Sequence, residues 1–202
     1  MVFRFLSKRG AMPDTISGDG INLRNPVMED FAQWCQLRQE SAGFLVPLEP
    51  QWPQDDLSAA GFRRRMRRIR RERDQGSGYT YFLFDPKENT LLGGLSVFNI
   101  RFGASQSATL GYWMGECHAG KGHMTRAVAA IIPLLFGQLG LKRLEAACLA
   151  DNARSIRLLK RNGFRHEGTV RSYLEINGIR QDHELFALLA EDFELNKDQN
   201  PA

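Results

Sequence analysis

At 202 residues, with 43% hydrophobic and 25% charged side chains, the chain has the bulk for one α/β domain whose core needs no disulfide or metal staple. No apolar run approaches the ~18–20 residues that span a bilayer, and the stretch from Met1 to Arg9 is too poor in apolar residues for a signal peptide. The net charge of +4 is compatible with anionic partners without demanding them, and Cys35, Cys117 and Cys148 are scattered, as reduced thiols of a cytoplasmic protein would be.

Residues 1–17 read as a flexible lead-in of Gly, Pro, Ser and Asp, within which Met12 could serve as an alternative start. Ile21–Arg24 alternates and stops at Asn25-Pro26, a short strand. Met28 to Glu40 has helical spacing, with Phe31, Trp34, Cys35 and Arg38 on one face. Pro47, Pro50 and Pro53 exclude regular helix from Phe44 to Pro53, and a long loop of that composition is often functional. A helix is expected from Asp55 to about Gln75, with a buried stripe of Phe62, Met66 and Ile69. Arginines at 63, 64, 65, 67, 68, 70, 71 and 73 fill the remainder, either as a solvated face or as a contact for ribosomal RNA or an acidic partner.

Tyr79–Phe84 and Leu91–Asn99 read as strands, with Gly93-Gly94 marking a bulge or a close backbone approach. Ser107–Met114 is a third strand, a glycine-containing loop runs from Gly115 to Lys121, and an amphipathic helix follows over about His123–Leu139. A buried strand at Leu144–Leu149, a short helix at Asn152–Asn162 ended by Gly163, and strands at Phe164–Thr169 and Leu185–Leu189 complete the pattern. The order gives an α/β (α+β) domain over residues 18–195, a mixed and mostly antiparallel sheet of about seven strands with helices on both faces. A polar tail at 196–202 follows, and the length is compatible with a monomer or a homodimer.

The most informative stretch runs from Leu110 to Ala127. A strand feeds a loop holding Gly120-Lys121-Gly122, and the loop opens a helix. Unsatisfied N–H groups and a positive partial charge at a helix start, approached through glycine, make a seat for a diphosphate, to which Lys121 and Arg126 add charge. The spacing is neither a Walker loop nor a dinucleotide fingerprint. His118 and His123 lack the partners of a metal site.

This loop and helix, with Asp151-Asn152-Ala153-Arg154-Ser155 and the run Leu158 to Phe164, resemble the two signature motifs of the GCN5-related N-acetyltransferase (GNAT) superfamily. Phe44-Leu45-Val46-Pro47-Leu48-Glu49-Pro50, Gly111-Tyr112-Trp113-Met114-Gly115 and Tyr173 to Gly178 with Asp182-His183 resemble landmarks of its RimJ/RimL-type ribosomal-protein-alanine branch. Ala119 stands where the superfamily loop has Gln or Arg, Met124 stands at the loop's sixth position, and Leu48 replaces a branch tryptophan.

The resemblance implies the GNAT fold, acetyl-CoA as cofactor and an amine acceptor, a protein N-terminus in this branch. It implies that the strand carrying Trp113, Met114 and Gly115 pairs with the pantetheine arm. It further implies that Ala119, Gly120, Lys121, Gly122, His123, Met124 and Thr125 form the diphosphate loop, that Asn152 contacts the cofactor, and that Ser155 sits near its sulfur.

Direct transfer to an amine needs an oxyanion donor, for which a backbone N–H near Met114 is the candidate. The leaving thiolate can take a proton from Ser155 or Tyr173, or simply accept a hydrogen bond. A general base would help because an α-amine has an ordinary pKa of ~7.7–8.0. Glu49 in the proline-rich loop is the leading candidate, with Glu116, Glu175, His183 or a water chain as alternatives. Two further functions stay open: acetylation of a small-molecule amine, which needs a closed acidic pocket, and non-catalytic binding of acetyl-CoA or the ribosome.

Overall fold

A computed structural model describes residues 10–199, with side chains as far as Leu195. Eight strands form one sheet: β1 (Thr15–Gly18), β2 (Ile21–Arg24), β3 (Tyr79–Phe84), β4 (Leu91–Arg101), β5 (Ser107–Met114), β6 (Arg143–Leu149), β7 (Arg165–Ile176) and β8 (Ile179–Leu189). Their order is β1-β2-β3-β4-β5-β6-β8-β7, antiparallel throughout except for the parallel β5–β6 pair. The helices are α1 (Phe31–Glu40), α2 (Ala42–Leu45), α3 (Ala59–Asp74), α4 (His123–Gly137), α5 (Ala153–Arg161) and α6 (Ala190–Gln199). This is the mixed, helix-covered sheet expected from the sequence, with one strand more.

The two-residue period of the strands divides the core. Tyr79, Tyr81 and Leu83 of β3 face α4, whose Val128, Ile131, Ile132 and Leu135 are fully buried. Phe82 and Phe84, on the other face, pack with Trp34 and Leu37 of α1 and Phe62 of α3. α4 therefore covers one face, and α1 and α3 cover the other.

Four stretches differ most from the sequence expectation. Residues 12–18 are no loose lead-in: Met12 is buried, the Tyr81 hydroxyl donates to the Pro13 carbonyl at 2.8 Å, and β1 pairs with β2. Residues 1–9 lie outside the described residues. Helical turns occupy 42–48, because Pro47 sits in the first turn of the 3-10 segment Val46–Leu48, where its missing N–H costs nothing. β7 and β8 are longer than expected, because much of their length is solvated and carries no hydrophobic alternation. α6 continues the chain through Gln199, so the polar tail is helical over 196–199, and residues 200–202 lie outside the described residues.

Candidate active site

β5 and β6 pair only over Ser107–Thr109 and Arg143–Glu145. Beyond that they separate, while β5 remains paired with β4 as far as Met114. The Gly115 N–H donates to the Leu92 carbonyl of β4 at 2.9 Å. By the alternation of an antiparallel ladder, Gly111 and Trp113 also face β4, and the amides of Tyr112 and Met114 point into the gap where β6 has left. A sheet interior thus carries two free main-chain edges.

Glycines press β4 against this segment. A Cβ at Gly93 would stand 2.3 Å from the Trp113 carbonyl oxygen, and one at Gly94 would stand 2.5 Å from the Trp113 indole nitrogen. The Gly93-Gly94 pair therefore marks a close approach. The Trp113 ring meets Phe82 edge-on, 6.4 Å between centroids, which anchors Met114 from the far face.

After Met114 the chain makes a 3-10 turn over Glu116–His118, tied back by the Glu116 N–H donating to Ser41 Oγ at 2.9 Å. Gly120 and Gly122 then adopt φ of 78° and 80°, the left-handed region that glycine enters without strain. Gly122 is the N-cap of α4 and offers no side chain to cap it. The amides of His123, Met124 and Thr125 lack intrahelical acceptors and face outward with the positive end of the helix. Arg126, one turn in, donates to His123 Nδ1 at 2.9 Å, and its Nε has no partner among the described residues. Lys121 is exposed beside it.

Two imidazoles line this loop. Burial, then Lys121, holds the His118 pKa below its ordinary value, against the opposing pull of Asp85 and Glu88. Burial, then Arg126 and His118, does the same for His123, with Asp85 opposing and Lys121 adding to the depression.

Across the gap, Asn152 caps α5 by accepting from the Ser155 N–H at 3.1 Å. Ser155 is buried, and its hydroxyl lies 2.6 Å from the Tyr112 hydroxyl. Burial pushes the Tyr112 phenol above its usual range and raises the Cys148 thiol, which Ser155 pulls the other way. Ser155 thus ties the start of α5 to β5, 43 residues from its Tyr112 partner. Tyr112 was legible only as part of a resembling motif, and Cys148 only as a scattered thiol.

Glu49 is not free. Arg38 donates to its two oxygens at 2.8 and 2.7 Å, and the Trp52 indole donates at 2.8 Å. The Arg38 guanidinium, buried in α1, lies 4.1 Å from the Trp52 ring centre and 5.1 Å from that of Trp113. The Glu49 carbonyl accepts from the Asn177 N–H at 3.0 Å, linking the proline-rich segment to the β7–β8 hairpin. None of Arg38, Trp52 and Asn177 could be paired with Glu49 from sequence.

On that hairpin Tyr173 is exposed, and its ring meets His183 edge-on at 5.8 Å. His183 is buried and bonds through Nδ1 to the Gln181 carbonyl at 3.0 Å, not to Asp182, which accepts from the Ser172 N–H instead. A carbonyl only accepts, so Nδ1 carries a proton, and Nε2 is the ring nitrogen left for a second partner. Glu116 and Glu175 are exposed. Among the described residues, no group of three or more His, Cys, Asp or Glu side chains could hold a metal.

The family described as Acetyltransferase (GNAT) domain matches residues 21–165. The chain is 31% identical over 179 residues to the probable N-acetyltransferase YjcK of Bacillus subtilis, covering 89% of this chain and 99% of that one. It is 34% identical over 154 residues to the [ribosomal protein uS5]-alanine N-acetyltransferase of Escherichia coli, covering 76% and 79%. Among solved structures, Mycobacterium smegmatis RimJ in complex with CoA-disulfide superposes with a TM-score of 0.85 at 29% identity, over 91% of each chain.

Proposed function

The chain belongs to the GNAT acetyltransferase family, and from that premise we propose that it transfers the acetyl group of acetyl-CoA to the α-amine at a protein N-terminus, of the ribosomal-protein-alanine kind. The observation that carries this reading is the pair of free main-chain edges between β5 and β6, beside the uncapped start of α4. Acetyl-CoA supplies an activated thioester and a diphosphate. An anion fits a helix start whose cap is a glycine and whose cations include Arg126 with an unpartnered nitrogen. The amides from Gly120 to Thr125 hold it, Ala119 shapes the entry, and Lys121 adds charge. The edge of Tyr112 to Gly115 takes the pantetheine arm, with the Asn152 amide group within its reach.

The Met114 N–H is the donor for charge developing on the acetyl oxygen; a fixed amide costs no reorganisation there. Ser155 hands its hydroxyl proton to the departing thiolate, whose ordinary pKa is ~8.5, as the Tyr112 hydroxyl passes its own to Ser155 and is restored from solvent. His183, its Nδ1 engaged by the Gln181 carbonyl, takes the proton from the amine on Nε2, with the Tyr173 ring packed edge-on against it. Glu49, its oxygens already occupied, positions the acceptor loop rather than abstracting a proton.

Tyr173, Leu174 and Ile179 expose apolar surface along the β7–β8 hairpin, which suits an extended peptide better than a closed pocket for a small amine. With acetyl-CoA and a peptide beginning with alanine, thiol release should be fast and should cease when the peptide's α-amine is blocked. Faster release with a polyamine or an aminoglycoside than with the peptide would overturn the reading.

A further inference from the structure

The arginines of α3 fall into two sets. Arg64 pairs with Asp55, Arg65 with Asp56 at 2.7 Å, Arg68 with Glu72 at 3.7 Å, and Arg73 with Asp14 at 3.0 Å. Arg63, Arg67, Arg70 and Arg71 are exposed and meet no carboxylate among the described residues. Spaced three, four and seven apart, these four share one helix face over about 12 Å.

A merely solvated face does not require this pattern. Arg63–Arg67 and Arg67–Arg71 are like charges one turn apart, each costing about 0.2–0.5 kcal/mol, where alternating acids and bases would have been stabilising. The stripe is all arginine, with no lysine from Ala59 to Gln75, and a guanidinium fork matches phosphate oxygens where an ammonium is a point charge. The stripe exposes no aromatic or large aliphatic side chain, which argues against a protein hot spot and against stacking on single-stranded bases.

We propose that Arg63, Arg67, Arg70 and Arg71 form a docking surface for the phosphate backbone of double-helical RNA. Sequence-independent contact to two rows of phosphates is what such a stripe can make. The choice of RNA over other polyanions rests on the ribosomal-protein reading of the acceptor; the docking itself uses none of the transfer machinery.

The test is fluorescence anisotropy with a labelled RNA hairpin, titrated over a range of salt. R63Q/R67Q/R70Q/R71Q should weaken binding at least 10-fold at low salt. It should make the slope of log affinity against log salt shallower by about 3.6, at about 0.9 for each of the four phosphates no longer neutralised. The matching lysine variant should keep the salt slope and lose less affinity than the glutamine variant, which controls for the fold. K142Q/K160Q/R161Q/R165Q, equal in charge removed but away from α3, should leave the slope within about one unit of wild type. Equal weakening in both glutamine variants would overturn the proposal, as would polyglutamate competing as well as the RNA does. Turnover on the alanine peptide should be the same in all of them. A wild-type protein that binds the RNA but releases no thiol with the alanine peptide would count against the transfer reading and leave the docking surface standing.

Discussion

Replacing Gly122 by aspartate is expected to remove acetyl-CoA binding. Gly122 holds φ 80° and ψ −1°, a conformation that costs an L-residue about 1–2 kcal/mol. A Cβ there would lie 3.3 Å from Arg126 Nη1, so the new carboxylate would draw that guanidinium away from the ligand. It would also repel the diphosphate: at about 5 Å and an effective dielectric of about 20, the penalty is roughly 3 kcal/mol per unit charge. Together these predict affinity weaker by about 10³-fold, at ~1.4 kcal/mol for each factor of ten. Gly122→Ala carries the strain without the charge and should lose about tenfold at most, the equivalent of ~1.4 kcal/mol. Isothermal calorimetry on both variants, with melting curves to establish folding, separates the two effects. A folded Gly122→Asp protein binding acetyl-CoA within threefold of wild type would refute the placement of the diphosphate.

Ser155→Ala and Tyr112→Phe should each lower kcat by about 10–10² while leaving acetyl-CoA affinity within threefold, and the double variant should be little worse than either, because the two hydroxyls act as a unit. Equal losses in turnover and binding would remove the acid role. His183→Gln should cost about 10²-fold or more in kcat, with acetyl-CoA affinity unchanged; a fall below threefold in steady-state assays would move the base elsewhere. Glu49→Ala should leave the Arg38 guanidinium buried without its partner, at about 3–5 kcal/mol, and should lower the melting temperature by on the order of 10 °C. An unchanged melting temperature would contradict the pairing. Finally, His118 and His123 titrate below their unfolded value, so the ligand-free protein should lose stability as pH falls below about 6.5. The anionic ligand favours the protonated rings, so acetyl-CoA should bind more tightly over that same fall and take up protons, readable by calorimetry in buffers of different ionisation enthalpy. H118Q/H123Q should abolish the proton uptake.

The elements legible in the sequence are those whose signal is local. Gly120 and Gly122 mark positive φ by residue type, Ser107–Met114 alternates, and Asn152 sits where a cap belongs. β1 is not legible because four residues with one buried position carry almost no period. The extensions of β7 and β8 are not legible because strands solvated on both faces need no apolar pattern. α3 starts later than Asp55 suggests: that residue has acid character suited to a helix start, but it is spent on Arg64, and Ser58 makes the cap by accepting from the Gly61 N–H at 3.0 Å. Side-chain partnerships across the fold, Arg38 with Glu49 and Tyr112 with Ser155, depend on which elements become neighbours. No spacing rule reports that, so the chemistry open to Glu49 is fixed only by its surroundings in the fold.

The donor we propose at Met114 belongs to a peptide bond rather than to a side chain. Nineteen of the twenty amino acids would offer the same N–H in the same direction, and only proline would withdraw it. The part of the machinery that meets developing charge is therefore insulated from ordinary point mutation. The loop around Glu49 and the β7–β8 hairpin, which are built from side chains, can drift toward new acceptors while that amide stays where the parted strands hold it.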